Sequence, residues 1–295
     1  KDQHTTIDAI GIIQDAKENG WLPVINFQDR YESEQNEKGA ILNVVNSTFP
    51  AVNLNPYFIY KHDNKLNAYS RSNPAPPGGD NGDIYTLGGR VFGTPFEHWK
   101  YSLEGAYQFG EKQDTAIKFP AVSREFRDIN AYGAVGKVTY MLKDKLNNQV
   151  SFAAEVLSGD DPNTSNDEMF DNLWGRYPRW SEIGLYSFAG ETRIGQEANL
   201  VRFGPGWSMS PIKNMDLIVN YNALFAIEEV PTREASSTLF SHDSNFRGHF
   251  FQAVLKYKFS QHLSGHLWSE FMLPGGYYAD HDLWTFLRAE VLLTF

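Results

Sequence analysis

From residue 98 to 111 large apolar side chains recur at every second position. Trp99, Tyr101, Leu103, Tyr107 and Phe109, with Gly105 among them, alternate with Lys100, Ser102, Glu104, Ala106, Gln108 and Gly110. A period of two places the two sets on opposite faces of a β-strand. Residues 215–228 repeat the pattern, with Met215, Leu217, Val219, Tyr221, Ala223, Phe225 and Ile227 set against Asp216, Ile218, Asn220, Asn222, Leu224, Ala226 and Glu228. Similar segments fall at 52–61, 83–93, 130–142, 149–158, 200–209, 251–259, 263–273 and 283–295. Strands of soluble sandwiches average about five or six residues. Most of these segments reach the roughly nine to eleven that a tilted strand needs to cross a bilayer. The fold class is all-β, and the strand length points to an antiparallel transmembrane barrel.

The connections alternate in length. Short ones fall at 93–97, 143–147, 210–214 and 260–262, and between them lie long ones at 63–82, 111–129, 159–199, 228–245 and 274–282. An outer-membrane barrel keeps short periplasmic turns and long extracellular loops, whereas a sandwich has no reason to sort its loops by side. With the last strand descending to the periplasm, every long connection falls outside. Adding 21–29 and 40–45 to the ten segments above gives twelve strands, an even number that can close. Residues 6–13, joined through Lys17-Glu18-Asn19-Gly20 with its Asn-Gly turn signal, form a thirteenth. An odd count implies strands missing upstream. The expected organisation is one barrel domain over 1–295, with 1–20 as an extra strand or N-terminal segment and 159–199 as a long extracellular or pore-folding loop.

Composition supports this reading. Mean hydropathy is −0.44 and no apolar run approaches eighteen residues, which rules out a membrane-spanning helix but not a barrel. Aromatics make up 15%, glycines number 24 and cysteine is absent, which suits a sheet-rich protein that meets an oxidising compartment. A net charge of −10 argues against nucleic acid as a partner. The opening Lys1-Asp2-Gln3-His4-Thr5 has neither the basic nor the apolar region of a signal peptide, so the chain reads as beginning mid-protein. No Gly-x-Ser-x-Gly, His-Glu-x-x-His or Walker sequence occurs, and the polar histidines are explained by loops and the lumen, so no enzyme is expected.

The longest connection carries Gly159-Asp160-Asp161-Pro162 and then Phe170-Asp171-Asn172-Leu173-Trp174-Gly175-Arg176-Tyr177-Pro178-Arg179-Trp180-Ser181-Glu182. Near the end stands Trp268-Ser269-Glu270-Phe271-Met272-Leu273-Pro274-Gly275-Gly276, and the last strand alternates Leu287, Ala289, Val291, Leu293 and Phe295. On these motifs the chain resembles the alginate-export family of outer-membrane porins over roughly residues 22–295. The resemblance implies a barrel of about eighteen strands, so that an N-terminal stretch of several is absent from this chain. It also implies a passive channel for an anionic uronate polysaccharide in the outer membrane of a Gram-negative bacterium, with membrane lipid and lipopolysaccharide around it. The terminal Phe295 resembles the signal read by barrel-assembly machinery. Two rival readings are a secreted β-rich carbohydrate-binding or carbohydrate-active protein and the barrel part of a TonB-dependent receptor.

With the aromatic-rich faces turned to lipid, the lumen receives Arg90, Lys100, Lys137, Arg202, Lys256, Lys258 and Arg288, but also Glu104, Glu155, Asp216, Glu228, Glu270 and Glu290. That mixture fits cross-strand pairing as well as solute contact. In the long loop, Arg176 and Arg179 beside Trp174 and Trp180 are suited to bind carboxylates bidentately and to stack on sugars; packing at the rim is the structural alternative. Asp160, Asp161, Asp167, Glu168 and Asp171 crowd one stretch without a base, which allows a structural Ca²⁺ as the sole cofactor or a solvated acidic loop bridged to lipopolysaccharide phosphates. Their spacing is not that of an EF-hand.

Overall fold

The computed structural model describes residues 4–14, 37–49, 51–63, 81–113, 126–175, 180–183, 198–229 and 238–295. Twelve strands account for most of them: β1 Thr5–Gln14, β2 Glu37–Phe49, β3 Val52–Asp63, β4 Gly82–Phe96, β5 Trp99–Gln113, β6 Phe126–Met141, β7 Gln149–Leu157, β8 Leu200–Met209, β9 Met215–Phe225, β10 Phe246–Lys258, β11 Leu263–Pro274 and β12 Trp284–Leu293. Each pairs antiparallel with the next, so the sheet is a single meander in chain order. Among the described residues β1 and β12 each pair on one side only.

Two boundaries differ from the sequence reading. The segment taken as a thirteenth strand is the first of the twelve, pairing directly with β2 through Ile10 opposite Ile41, and 21–29 lies outside the described residues. The last paired strand before the 226–245 connection stops at Phe225, so Ile227 and Glu228 belong to that connection rather than to the wall.

The two faces divide as the period of two requires. Leu287 and Val291 are 79% and 72% exposed, and Leu87, Leu103, Tyr107 and Phe152 are exposed on the same outer face. On the opposite face Gln108 and Glu270 have no exposure at all. Aliphatic residues outside and amides and carboxylates inside are the reverse of a soluble core and match a wall bathed by lipid. No second sheet packs on either face among the described residues, so the sandwich reading is set aside. Aromatic belts mark both rims of the outer wall. At the long-loop end Tyr85 stacks between Tyr60 and Phe109, with ring centroids 5.2 and 5.4 Å away. At the short-turn end Trp99 meets Tyr140 edge-on at 5.1 Å.

The sheet curls around its polar face. A flat sheet with strands about 4.8 Å apart would hold β1 and β8 about 34 Å apart. Yet Ile10 of β1 and Arg202 of β8 line one cavity of about 800 Å³.

Candidate functional site

Over its described residues 158–175 and 180–183, the connection after β7 lies across the polar face. Its first half docks on β3 to β6 by setting acids against wall bases. Asp160 Oδ1 meets Arg127 Nη2 at 2.9 Å, Asp167 Oδ2 meets Lys112 Nζ at 2.8 Å, and Asp171 Oδ2 meets Lys61 Nζ at 3.4 Å. Lys61 is fully buried and also lies 3.5 Å from Glu37 and 3.3 Å from Asp63. Gln108 clasps the loop backbone, accepting the Asp171 N–H at 2.8 Å and donating to its carbonyl at 2.6 Å. The Leu173 N–H donates to the Asp171 carboxylate, which holds Leu173 at a left-handed φ of 55° and drives its side chain into an apolar nest with Ile84, Ile129 and Ala131. Trp174 lies flat over Gly39, where its ring leaves no room for a Cβ.

The structure gives each of the acids weighed for a calcium site or a solvated loop a partner of its own. Asp160, Asp167 and Asp171 are buried against bases, Asp161 accepts the Asn163 N–H at 2.8 Å, and Glu168 accepts the Thr164 hydroxyl at 2.8 Å. Among the described residues no three such groups converge in a metal-binding arrangement. Burial pushes the Asp171 carboxyl up, but Lys61, Lys112 and the Leu173 N–H outweigh it and leave the group below the ordinary carboxylate range. Glu228, in the connection after β9, shifts the other way: burial and then the charges of Asp161, Glu168 and Asp160 push it up.

Residues 180–183 of the loop dock on β10 to β12. The Glu270 carboxylate accepts the Ile183 N–H at 2.7 Å, the Glu182 N–H at 2.9 Å and the Ser181 hydroxyl at 3.1 Å, together with Trp268 Nε1 at 2.7 Å and Gln252 Nε2 at 2.9 Å. Glu270 therefore faces inward as expected, yet it is roofed by the loop and does not line the lumen. Arg288 likewise gives its charge to Glu182 at 2.9 Å and lies over Trp268. Ile183 joins Leu200, Leu224, Phe240, Phe250, Tyr277 and Tyr278 in an apolar cluster that fills the long-loop end on this side.

Among the described residues the other inner-face acids are paired or hydrogen-bonded, and several inner-face bases have no ion-pair partner. Glu155 is paired with Arg202, Glu104 accepts the Tyr57 hydroxyl at 2.9 Å, Asp216 accepts the Ser210 hydroxyl at 2.8 Å, and Glu290 lies 3.7 Å from His266. Arg90 donates to Ser102 Oγ at 2.8 Å. Lys100, Lys137 and Lys256 are exposed on the inner face, and among the described residues none of them has an ion-pair partner. Lys137 is close enough to Lys100 and Arg202 to feel both charges. A second cavity of about 270 Å³ gathers Lys137, Arg202 and Lys256 with Trp180, Trp268 and the amides of Asn220 and Gln252. Of the loop residues expected to meet solute, Trp180 does line the lumen, Trp174 is spent on docking, and Arg176 and Arg179 lie outside the described residues. Sequence reading missed Lys61, Lys112 and Arg127 as docking bases. The signal for them was inward-facing cations at the strand ends nearest the long loops.

A curled meander with an apolar, aromatic-belted outer wall, a charged interior and a connection folded inside it is an outer-membrane β-barrel of the porin class. The alginate export family matches residues 21–282, and the chain belongs to that family of outer-membrane transport porins. Among curated proteins no sequence matches it.

Proposed function

We propose that the chain forms a passive channel for a uronate polysaccharide of the alginate type in a Gram-negative outer membrane. The supporting observation is the asymmetry of the interior: among the described residues the inner-face carboxylates are engaged by neighbours, whereas Lys137 and Lys256 line the smaller cavity, and Lys100 the inner face, without an ion-pair partner. In a confined lumen of reduced dielectric such groups attract anions, and weak contacts spread along the wall allow a polymer to enter and also to leave. Trp180 and Trp268 in the same cavity offer faces for sugar rings. Arg176 and Arg179 stand in the same loop and are proposed to extend this cationic path. Lipid and lipopolysaccharide surround the apolar outer wall.

Planar-bilayer recording tests the proposal. The wild-type channel should prefer chloride to potassium and be blocked by oligouronates. The triple variant Lys100→Met, Lys137→Met, Lys256→Met should lose both properties while keeping its heat-modifiable barrel. A wild-type channel without anion preference, or recovery of the protein from cells without detergent, would overturn it.

A further inference from the structure

The two cavities of the lumen share two of their lining residues, Trp180 from the loop and Arg202 from β8. The larger cavity faces β1 to β8 and the smaller one β6 to β11, so these side chains stand at the partition between them. They are in contact: the Arg202 guanidinium lies 4.7 Å over the Trp180 ring, a cation–π geometry. Arg202 is further held by Glu155 and by Asn222 Oδ1 at 3.3 Å. The backbone that carries Trp180, in contrast, is held from behind by the buried Glu270, which lines neither cavity.

We infer that Glu270 is the positioning residue of the partition, setting the selectivity of the channel through Trp180 without facing the solute. This rests on the channel reading above. Glu270 is fully buried and collects three donors from the three residues that follow Trp180, so its carboxylate fixes the turn on which the indole is mounted. Gln252 completes the hold from the other side: its amide donates both to Glu270 at 2.9 Å and to the Trp180 carbonyl at 2.6 Å. Phe250 backs the indole edge-on at 5.1 Å. The arrangement needs an acceptor with two oxygens, because the same carboxylate also takes the Trp268 indole N–H. An amide in its place would turn an NH₂ toward one of these donors and leave N–H groups unpaired in a buried site.

The test is the ion selectivity of Glu270→Gln, Trp180→Ala and the double variant, each reconstituted as the full chain in planar bilayers under a KCl gradient. Glu270→Gln should lose most of the wild-type chloride preference, as Trp180→Ala does, and the double variant should lose no more than either single one. Glu270→Asp, which retains both oxygens, should recover part of the preference. Wild-type selectivity in a folded Glu270→Gln channel, or additive losses in the double variant, would overturn the inference. If Glu270→Gln does not yield a heat-modifiable barrel, Ser181→Ala, at a residue that lines neither cavity, loosens the same turn from the donor side and must shift selectivity in the same direction; no shift there also overturns it. A wild-type channel without anion preference instead removes the channel reading beneath it, so the two failures are distinguishable.

Discussion

Lys61 is the buried charge on which the first half of the loop depends most. It lies within 3.5 Å of Glu37, Asp63 and Asp171, two acids of the wall and one of the loop. Removing one partner of a buried ion pair costs about 3–5 kcal/mol, because the other charge is left uncompensated. Lys61→Met exposes three carboxylates to one another at once, so its cost should reach at least the upper end of that range. Asp171→Asn leaves Lys61 with two acids and removes mainly one charge-assisted contact and the acceptor of the Leu173 N–H, for about 1–3 kcal/mol. The Lys61 variant should therefore be the less stable by roughly 2 kcal/mol or more. Urea unfolding in detergent micelles, followed by tryptophan fluorescence and by the loss of heat-modifiable mobility, measures the difference. Adding Glu37→Gln, Asp63→Asn and Asp171→Asn to Lys61→Met should restore much of the loss, since a buried network replaced as a whole is often neutral. Equal stability of Lys61→Met and Asp171→Asn, or no recovery in the combined variant, would refute the view that the loop is clamped by charge.

Two titrations of opposite sign follow. Asp171 sits below the ordinary carboxylate range, so its share of loop docking is fully present above about pH 4 and lost as pH falls below it. Channel conductance should accordingly be constant from pH 8 to pH 5. Glu228 sits above its ordinary value because of burial and the acids around it, so the folded state holds that proton more tightly and stability falls as pH rises through the raised value. Glu228→Gln should raise the thermal midpoint at pH 7, and the gain should vanish near pH 4; an equal gain at both pH values would count against the acidic crowding. Trp174→Ala, which removes the ring packed against Gly39, should make the chain near residue 174 a site of rapid proteolysis while the barrel remains heat-modifiable; unchanged protease resistance would show that this ring does not anchor the loop.

The wall was legible in the sequence because its signal is local. A period of two over ten or more residues fixes which side chain faces lipid, and a slip by one residue would turn a whole strand inside out. Leu287, Val291 and Tyr107 could be assigned outward from their neighbours alone. Thr5–Gln14 was harder to place, since Ile7, Ile10, Ile12 and Ile13 put apolar side chains on both faces of an edge strand. The site was only half legible. Glu270 was placed on the correct face, but the roof above it comes from a segment 87 to 89 residues away. Asp171 read as one of five acids without a base because its base, Lys61, lies 110 residues earlier. Contacts at such separation leave no trace in spacing. They are set by which strands the meander brings beneath the loop.

A barrel in lipid uses its apolar side chains on the outside, so the interior must be organised by polar contacts instead of a hydrophobic core. That inversion explains why the loop is acidic where it docks. Lys61, Lys112 and Arg127 near the long-loop ends of β3, β5 and β6 are cations facing a confined space, and an acidic strap neutralises each of them directly. It explains equally why net charge misleads here. A chain at −10 suggests repulsion of a polyanion, yet long-range fields from exposed outer charges are screened within about 8–10 Å at ordinary ionic strength. What a solute meets is the local charge of the lumen wall, and among the described residues Lys100, Lys137 and Lys256 stand on the inner face without an ion-pair partner, while Glu155 is paired with Arg202. The loop acids do not oppose the anion path. In the proposed channel, neutralised rim bases would not trap a polyanion at the mouth, and the deeper lysines would be left to draw it through.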